Sequence, residues 1–261
     1  MSSLAPFTAI PAPPGVLPDA LVLCDHAGHA IPEPYGDLGL PPSVFERHIA
    51  YDIGAAGVTR ALAAELGAPA LLANFSRLLI DSNRGPDDPT LVMRLSDGAI
   101  VPGNARVDDA EIARRTANWW QPYQGAISSE IDAMIAACRP PVLVSIHSFT
   151  PAWKGVPRPW HVGILWDRDD RLARPLLDAL AGEGDLVVGD NEPYDGALAG
   201  DTMYRHGTQR GLAHALIEVR QDLIAAEADQ AAWGVRLARL LRPILAAPAL
   251  HDIRHFGSRA G

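Results

Sequence analysis

Val142-Leu143-Val144-Ser145-Ile146 is an almost unbroken apolar run, and it leads directly into His147-Ser148-Phe149-Thr150-Pro151. Pro140 and Pro141 precede it. An apolar segment of this length, bounded by breakers, reads as a strand covered on both faces, as in a parallel sheet. Shorter runs repeat the signal at Ala20–Cys24, 69–73, 77–81, His161–Trp166, Leu186–Val188 and Ala213–Val219. Helical patterns alternate with them. Ser43 and Glu46 have the spacing of a capping box. The helix they open is expected to run to Leu66 and to end at Gly67. Asp108 and Asp109 open a second helix reaching about Cys138, and Leu172–Leu180 and Ala225–Leu245 supply two more. Strands alternating with helices predict an α/β fold: a mostly parallel, mixed central sheet with helices on both faces.

Residues 1–18, rich in Ala and Pro, read as a loose arm, and 19–261 as a single domain. Residues 85–107 carry Gly, Pro and Asp with little periodicity and read as a long loop, a feature often tied to function. The 261 residues are 48% hydrophobic and 20% charged, the make-up of a globular chain. A net charge of -9 repels phosphate backbones and argues against a nucleic-acid partner. No apolar stretch approaches the roughly 20 residues that span a bilayer, and no signal-peptide pattern opens the chain, so no membrane partner and a cytoplasmic location are expected. Cys24 and Cys138 sit beside apolar runs and read as buried free thiols. Lys154 is the one lysine, so the cations are almost all fork-shaped guanidiniums suited to carboxylates. A homo-oligomer stays open, and Trp119-Trp120 fits either a core or an interface.

Chemistry gathers where strands end. In open parallel sheets, ligands bind just beyond the carboxyl ends of the strands. Asp25-His26 follows the first apolar run, and Asp81, Asn83 and Arg84 follow the run at 77–81. His147 ends the central run, and Glu218 lies near the end of the last. One strand-end histidine has a plainer reading as a hydrogen-bonding residue. Two of them with carboxylates near point to a metal, because neutral imidazole is a preferred zinc ligand and a catalytic zinc takes three protein ligands. His26 and His147 are the candidate imidazoles. The third ligand is open between Asp52, placed on the first helix one turn past His48, and His29, three residues after His26. Glu218 either pairs with Arg220 or serves as general base and acid. Arg77, Asn83 and Arg84 form an anion-reading set, with Arg77 suited to stabilising an oxyanion. His161, Tyr194 and His206 are further rim candidates, each with a plainer reading as a packed polar side chain.

Seven of these segments resemble the N-formylglutamate amidohydrolase family in order. They are Cys24-Asp25-His26-Ala27-Gly28, His48 to Ala55, Ser76 to Arg84, Ser145 to Pro151, Pro159 to Gly163, Gly189 to Tyr194, and Ile217 to Leu223. The resemblance implies a phosphorylase/hydrolase-like fold akin to zinc carboxypeptidases, aspartoacylase and succinylglutamate desuccinylase. It implies Zn2+ held by His26 and His147, substrate contacts from Asn83 and Arg84, to which His161 and Tyr194 are added as rim candidates for substrate contact, and a base at Glu218. The activity implied is cleavage of N-formyl-L-glutamate, a small acidic N-acyl amino acid, to formate and glutamate, as in histidine breakdown. Relatives of the carboxypeptidase type carry glutamate where His29 stands, and Asp52 lies in a family-typical stretch, which favours Asp52 as the third ligand. The Cys-Asp-His start, in place of a small residue and Pro before His, leaves a different acyl group or amino acid open. A non-catalytic binder of small acidic metabolites is the reading of another class.

Overall fold

The parity of side chains along two strands sets the architecture. In a computed structural model, which describes residues 4–137 and 139–260, Val142, Val144 and Ile146 enter one apolar cluster with Ala215, Ile217 and Val219. Leu143 and Leu216 enter a second cluster on the other face. Successive strand residues point to opposite faces, so His147 and Glu218 share the face of Leu143 and Leu216.

The strands are β1 (Phe7–Ile10), β2 (Ala20–Cys24), β3 (Ala70–Ala73), β4 (Val142–Phe149), β5 (Val162–Leu165), β6 (Val188–Asp190) and β7 (His214–Arg220). They form a 7-stranded sheet in the order β1-β3-β2-β4-β7-β5-β6. Four neighbouring pairs are parallel; β1 with β3, and β7 with β5, are antiparallel. The sheet is therefore mixed and mostly parallel. Helices α1 (Ala55–Leu66), α4 (Ala173–Ala181) and α5 (Glu227–Leu245) pack on the face of Val144. On the other face lie α2 (Asp109–Arg115), a π-helical turn at Thr116–Trp120 and α3 (Gln121–Ala136). A third apolar cluster, built on Leu38, Ile49, Leu78 and Val101, holds the loops above the strand ends.

Several expectations need correction. Within 1–18, Phe7–Ile10 is an edge strand on β3, not a loose arm, because its backbone pairs with Ala70–Ala73. The Ser43 capping box does not open a long helix. Pro42–Glu46 makes a 3-10 turn, the chain loops, and α1 begins at Ala55 behind Gly54. Gly54 takes φ 81, a left-handed geometry that glycine adopts without strain, and an added Cβ would lie 2.3 Å from the Ile224 carbonyl oxygen. Gly67 ends α1 as expected. Residues 77–81 form a turn, not a strand, and the loop at 85–107 contains a small hairpin, Leu95–Ser96 with Ala99–Ile100. Cys24 is free and buried; Cys138 lies outside the described residues. Trp119 and Trp120 are core residues. Among the described residues, no helix is long and apolar enough to cross a membrane.

Candidate active site

Register brings the first pair together. Glu218 on β7 stands directly beside His147 on β4, and Gly163 on β5 is its neighbour on the other side. An added Cβ on Gly163 would meet the Glu192 carbonyl oxygen at 1.9 Å, so glycine is required there. His26 follows β2, the strand beside β4. Its ring meets the His147 ring edge to face, with centroids 5.0 Å apart.

Asp52 completes the cluster although it belongs to no regular element. Its backbone N–H donates to the His26 carbonyl at 2.9 Å, and its own carbonyl accepts from Ala55 at the start of α1. This places Oδ2 2.8 Å from His147 Nδ1 and 3.4 Å from His26 Nδ1. One ligand atom from each of His26, Asp52 and His147 lies within 4.8 Å of the others, and all three residues are buried. His29 is exposed and packs on the Tyr51 ring, away from this cluster.

The remote nitrogen of each imidazole is also held. His26 Nε2 donates to Asp81 Oδ1 at 2.7 Å, and His147 Nε2 to Asp25 Oδ2 at 3.0 Å. A carboxylate behind each ring fixes its tautomer and leaves both Nδ1 atoms facing the cluster, the arrangement that supports metal-bound histidines. Asp25 is itself held by Ser145 Oγ at 2.9 Å and Thr202 Oγ1 at 2.6 Å. Gln124 donates to Thr202 Oγ1 and to the Ser82 carbonyl, and accepts from His206 Nε2 at 2.6 Å. His206, a rim candidate, thus sits behind the cluster, and burial first of all lowers its pKa to about 4.

Burial favours the neutral form of each acid, but His26 and His147 hold Asp52 below the usual carboxylate range. Burial is likewise overcome at Asp81, which Arg77 and His26 keep well below its ordinary value. His147 lies well above the ordinary imidazole value, because its bonds to Asp25 and Asp52 outweigh its desolvation. Glu218 goes the other way. Burial pushes its carboxyl up to about 7, with Asp52 adding to the rise and His147 opposing it. Its Oε2 is buried without a hydrogen-bond partner.

These groups line a cleft of about 310 Å³ that also receives Arg77, Asn83, Arg84 and Tyr194. Arg77 donates to Asp81 Oδ2 at 2.9 Å and lies 3.5 Å from Asp52 Oδ1, so its terminal nitrogens are engaged by one acid of the cluster and one behind it. Asn83 accepts from the Thr202 N–H at 3.0 Å, and Trp120 Nε1 donates to the Arg84 carbonyl at 3.0 Å. Tyr194 stands half-exposed at the mouth, its hydroxyl bonded to Arg158. His161 is not brought to this cleft. Its Nδ1 accepts from the Val187 N–H at 2.8 Å, and it lines a separate hollow with Asp185 and Arg236. Asp201, Thr202 and Gln124 carry no sequence signal for the site. Asp25 had one, beside His26 at a strand end.

A model of the N-formylglutamate amidohydrolase family matches residues 19–225. A solved gene product of Agrobacterium tumefaciens is 37% identical, with a TM-score of 0.87 over 93% of this chain and 96% of its own. The N-formylglutamate amidohydrolase of Ralstonia eutropha is 22% identical, with a TM-score of 0.66 over 93% of this chain and 98% of its own, a likeness of fold. No curated protein matches the chain.

Proposed function

The chain belongs to the N-formylglutamate amidohydrolase family, enzymes acting on an amide bond, and from that premise we propose that it is a metal-dependent hydrolase of N-acyl amino acids. The observation that carries this reading is Glu218. Its unpartnered carboxylate oxygen stands beside the His26–Asp52–His147 cluster, whose two imidazoles are each backed by a carboxylate.

Two imidazole nitrogens and one carboxylate are a suitable donor set for zinc, and the backing by Asp25 and Asp81 fits a metal better than it fits a plain ion-pair cluster. His26, Asp52 and His147 are the residues that would hold Zn2+. Bound there, it supplies Lewis acidity toward water and the acyl carbonyl. Glu218 takes a proton from the attacking water and returns it to the amide nitrogen as the C–N bond breaks, a shuttle suited to a carboxyl poised near pH 7. Arg84, with Asn83 beside it, holds the substrate carboxylate. Arg77 fixes Asp52 and Asp81, and Tyr194 shields the mouth. The products are a carboxylic acid and a free amino acid, formate and glutamate for the substrate in the family's name.

The test is amine and formate release from a panel of formyl, acetyl and succinyl amino acids, before and after chelation and on return of zinc. Activity that survives full removal of metal, or that persists in a His147→Ala variant, would refute the metal role.

A further inference from the structure

The mouth of the cleft holds a guanidinium whose charge is not answered by an acid. Arg158 closes the hairpin of Ala152–Trp153 with Val156–Pro157, where its backbone N–H donates to the Pro151 carbonyl at 2.9 Å. Arg220 donates in turn to the Arg158 carbonyl at 3.2 Å, so both sides of the backbone are fixed. The half-buried side chain lies against three rings. Its guanidinium carbon is 5.7 Å from the ring centroid of Phe149, 5.5 Å from that of Trp153 and 5.1 Å from that of Tyr194. Phe149 stands two residues past His147, on the same face of β4. Nη1 donates to Thr150 Oγ1 at 3.1 Å and Nη2 to the Tyr194 hydroxyl at 3.1 Å. Phe149, Thr150, Trp153 and Tyr194 all line the cleft.

The partners of Arg158 are all neutral oxygens, and among the described residues it forms no ion pair. Other cations of the cleft do meet acids. Arg77 is held by Asp52 and Asp81 and keeps only Nε without a partner. His48 faces Asp97 at 3.4 Å, and Arg84 lies 3.9 Å from Asp88. Asp195, next to Tyr194 in the chain, is paired with Arg259 and does not neutralise Arg158. A guanidinium has five N–H donors, and here they meet the Thr150 carbonyl, Thr150 Oγ1 and the Tyr194 hydroxyl, so donors remain for a ligand. The rings and the two hydroxyls also hold the side chain in place, which lowers the entropy lost when a carboxylate binds. Burial raises the pKa of the Tyr194 hydroxyl, Glu218 adds to the rise and Arg158 opposes it, so the phenol lies within reach of both the base and this cation. Given the reading just made, Glu218 serves the amide nitrogen and Arg84 the α-carboxylate. We propose that Arg158 is the residue that selects a second carboxylate, binding the acidic side chain of the amino acid at the mouth of the cleft.

A charge-assisted hydrogen bond to such a group is worth about a tenfold to hundredfold gain in affinity. The experiment compares N-formyl-L-glutamate with its neutral isostere N-formyl-L-glutamine by calorimetry on the zinc-loaded Glu218→Gln protein, where turnover does not interfere. Glutamate is expected to bind at least tenfold tighter. On the same background, Arg158→Met, which keeps the length and loses the charge, is expected to abolish that ratio and to leave the affinity for the glutamine ligand within about threefold. Arg158→Lys is expected to restore part of the ratio. Arg84→Met is expected to weaken both ligands alike, because both carry the α-carboxylate. Equal affinity in the parent, binding of neither ligand, or a ratio that survives Arg158→Met overturns the proposal. Equal loss of both ligands in Arg158→Met does so too, since it would make Arg158 a support of the cleft and not a reader of charge. Formate release by the unsubstituted enzyme is scored separately. An Arg158-dependent ratio without turnover would sink the hydrolase reading alone, whereas turnover with no Arg158-dependent ratio would sink this one alone.

Discussion

Glu218 has a buried Oε2 without a hydrogen-bond partner yet stands among charged groups, and the proposed role as base rests on that division. Glu218→Gln keeps the shape and removes the base. It is expected to lower kcat by about 10²–10⁴, while zinc content measured by elemental analysis stays near one per chain of the unsubstituted protein. Loss of the metal together with activity would instead make Glu218 a ligand. The carboxylates behind the imidazoles make a different prediction. Asp25→Asn and Asp81→Asn are each expected to weaken zinc binding by about 10–100-fold, read by competition with a chromophoric chelator, because each keeps the volume but loses the charge that orients a ring. Asp201 adds a pH effect on stability. Burial raises its pKa to about 7, above its value in the unfolded chain. The folded state therefore holds that proton more tightly. The contribution is fully present below about pH 4 and is lost as pH rises to about 7, on the order of a few kcal/mol. Asp201→Asn is expected to remove that part of the slope in denaturant melts from pH 4 to 8, and an unchanged slope would exclude the assignment.

At the level of elements, the site depends on turns that lie outside the sheet and are held by side chains of neighbouring elements. The turn at 77–80, which carries Arg77 and leads to Asp81, hangs from the α2 side of the molecule. Arg115, on α2 and buried, donates to the Leu79 carbonyl at 2.8 Å and to Asn104 Oδ1 at 2.7 Å. Asn104 in turn donates to the Leu78 and Met93 carbonyls. Arg115→Ala leaves these acceptors unpaired in the interior. It is expected to cost about 3–5 kcal/mol in chemical denaturation and to weaken zinc binding as Asp81 loosens, though it touches neither metal ligand nor substrate. Wild-type zinc affinity in a folded Arg115→Ala protein would show the turn to be held otherwise. The same dependence explains why 77–81 misleads as a strand. Leu78, Leu79 and Ile80 are fully buried, so their apolar run is genuine, but they fill the space beneath loops and not a rung of the sheet. Periodicity reports burial and does not distinguish the two.

For the whole molecule, the cluster ties together chain segments that fold on different strands. His26 follows β2, His147 lies on β4, and Asp52 precedes α1. A cation gripped by all three stabilises the folded chain and not the unfolded one. At a thousandfold excess over its dissociation constant that is worth about 4 kcal/mol, or roughly 10 °C in melting temperature for a chain of this size. Chelation is expected to lower Tm by that order, and zinc to restore it, in a calorimetric scan. A Tm indifferent to metal would count against the cluster as a metal site.

How much of this was legible in the chain follows from where each signal resides. Local sequence was sufficient for the strand–helix alternation, for β5 and β7 within one residue, for β4 up to its last three residues, and for the placement of His26, His147 and Glu218 near strand ends. These rest on periodicity and on a general property of open sheets, which need no knowledge of distant neighbours. Residue chemistry alone proposed Asn83-Arg84 as an anion-reading pair, and the family resemblance implied the same role. Only the tertiary structure set Asp52, and not His29, beside the two imidazoles, set His161 outside the cleft, and engaged Arg77 with Asp52 and Asp81. Only it brought in Asp25, Asp81, Thr202 and Gln124 as the frame of the imidazoles. Asp52 meets His147 across 95 residues, and Thr202 meets Asp25 across 177. Such contacts are set by the register of parallel strands and by the packing of turns over their ends, and those are properties of the assembled sheet that no stretch of sequence carries alone.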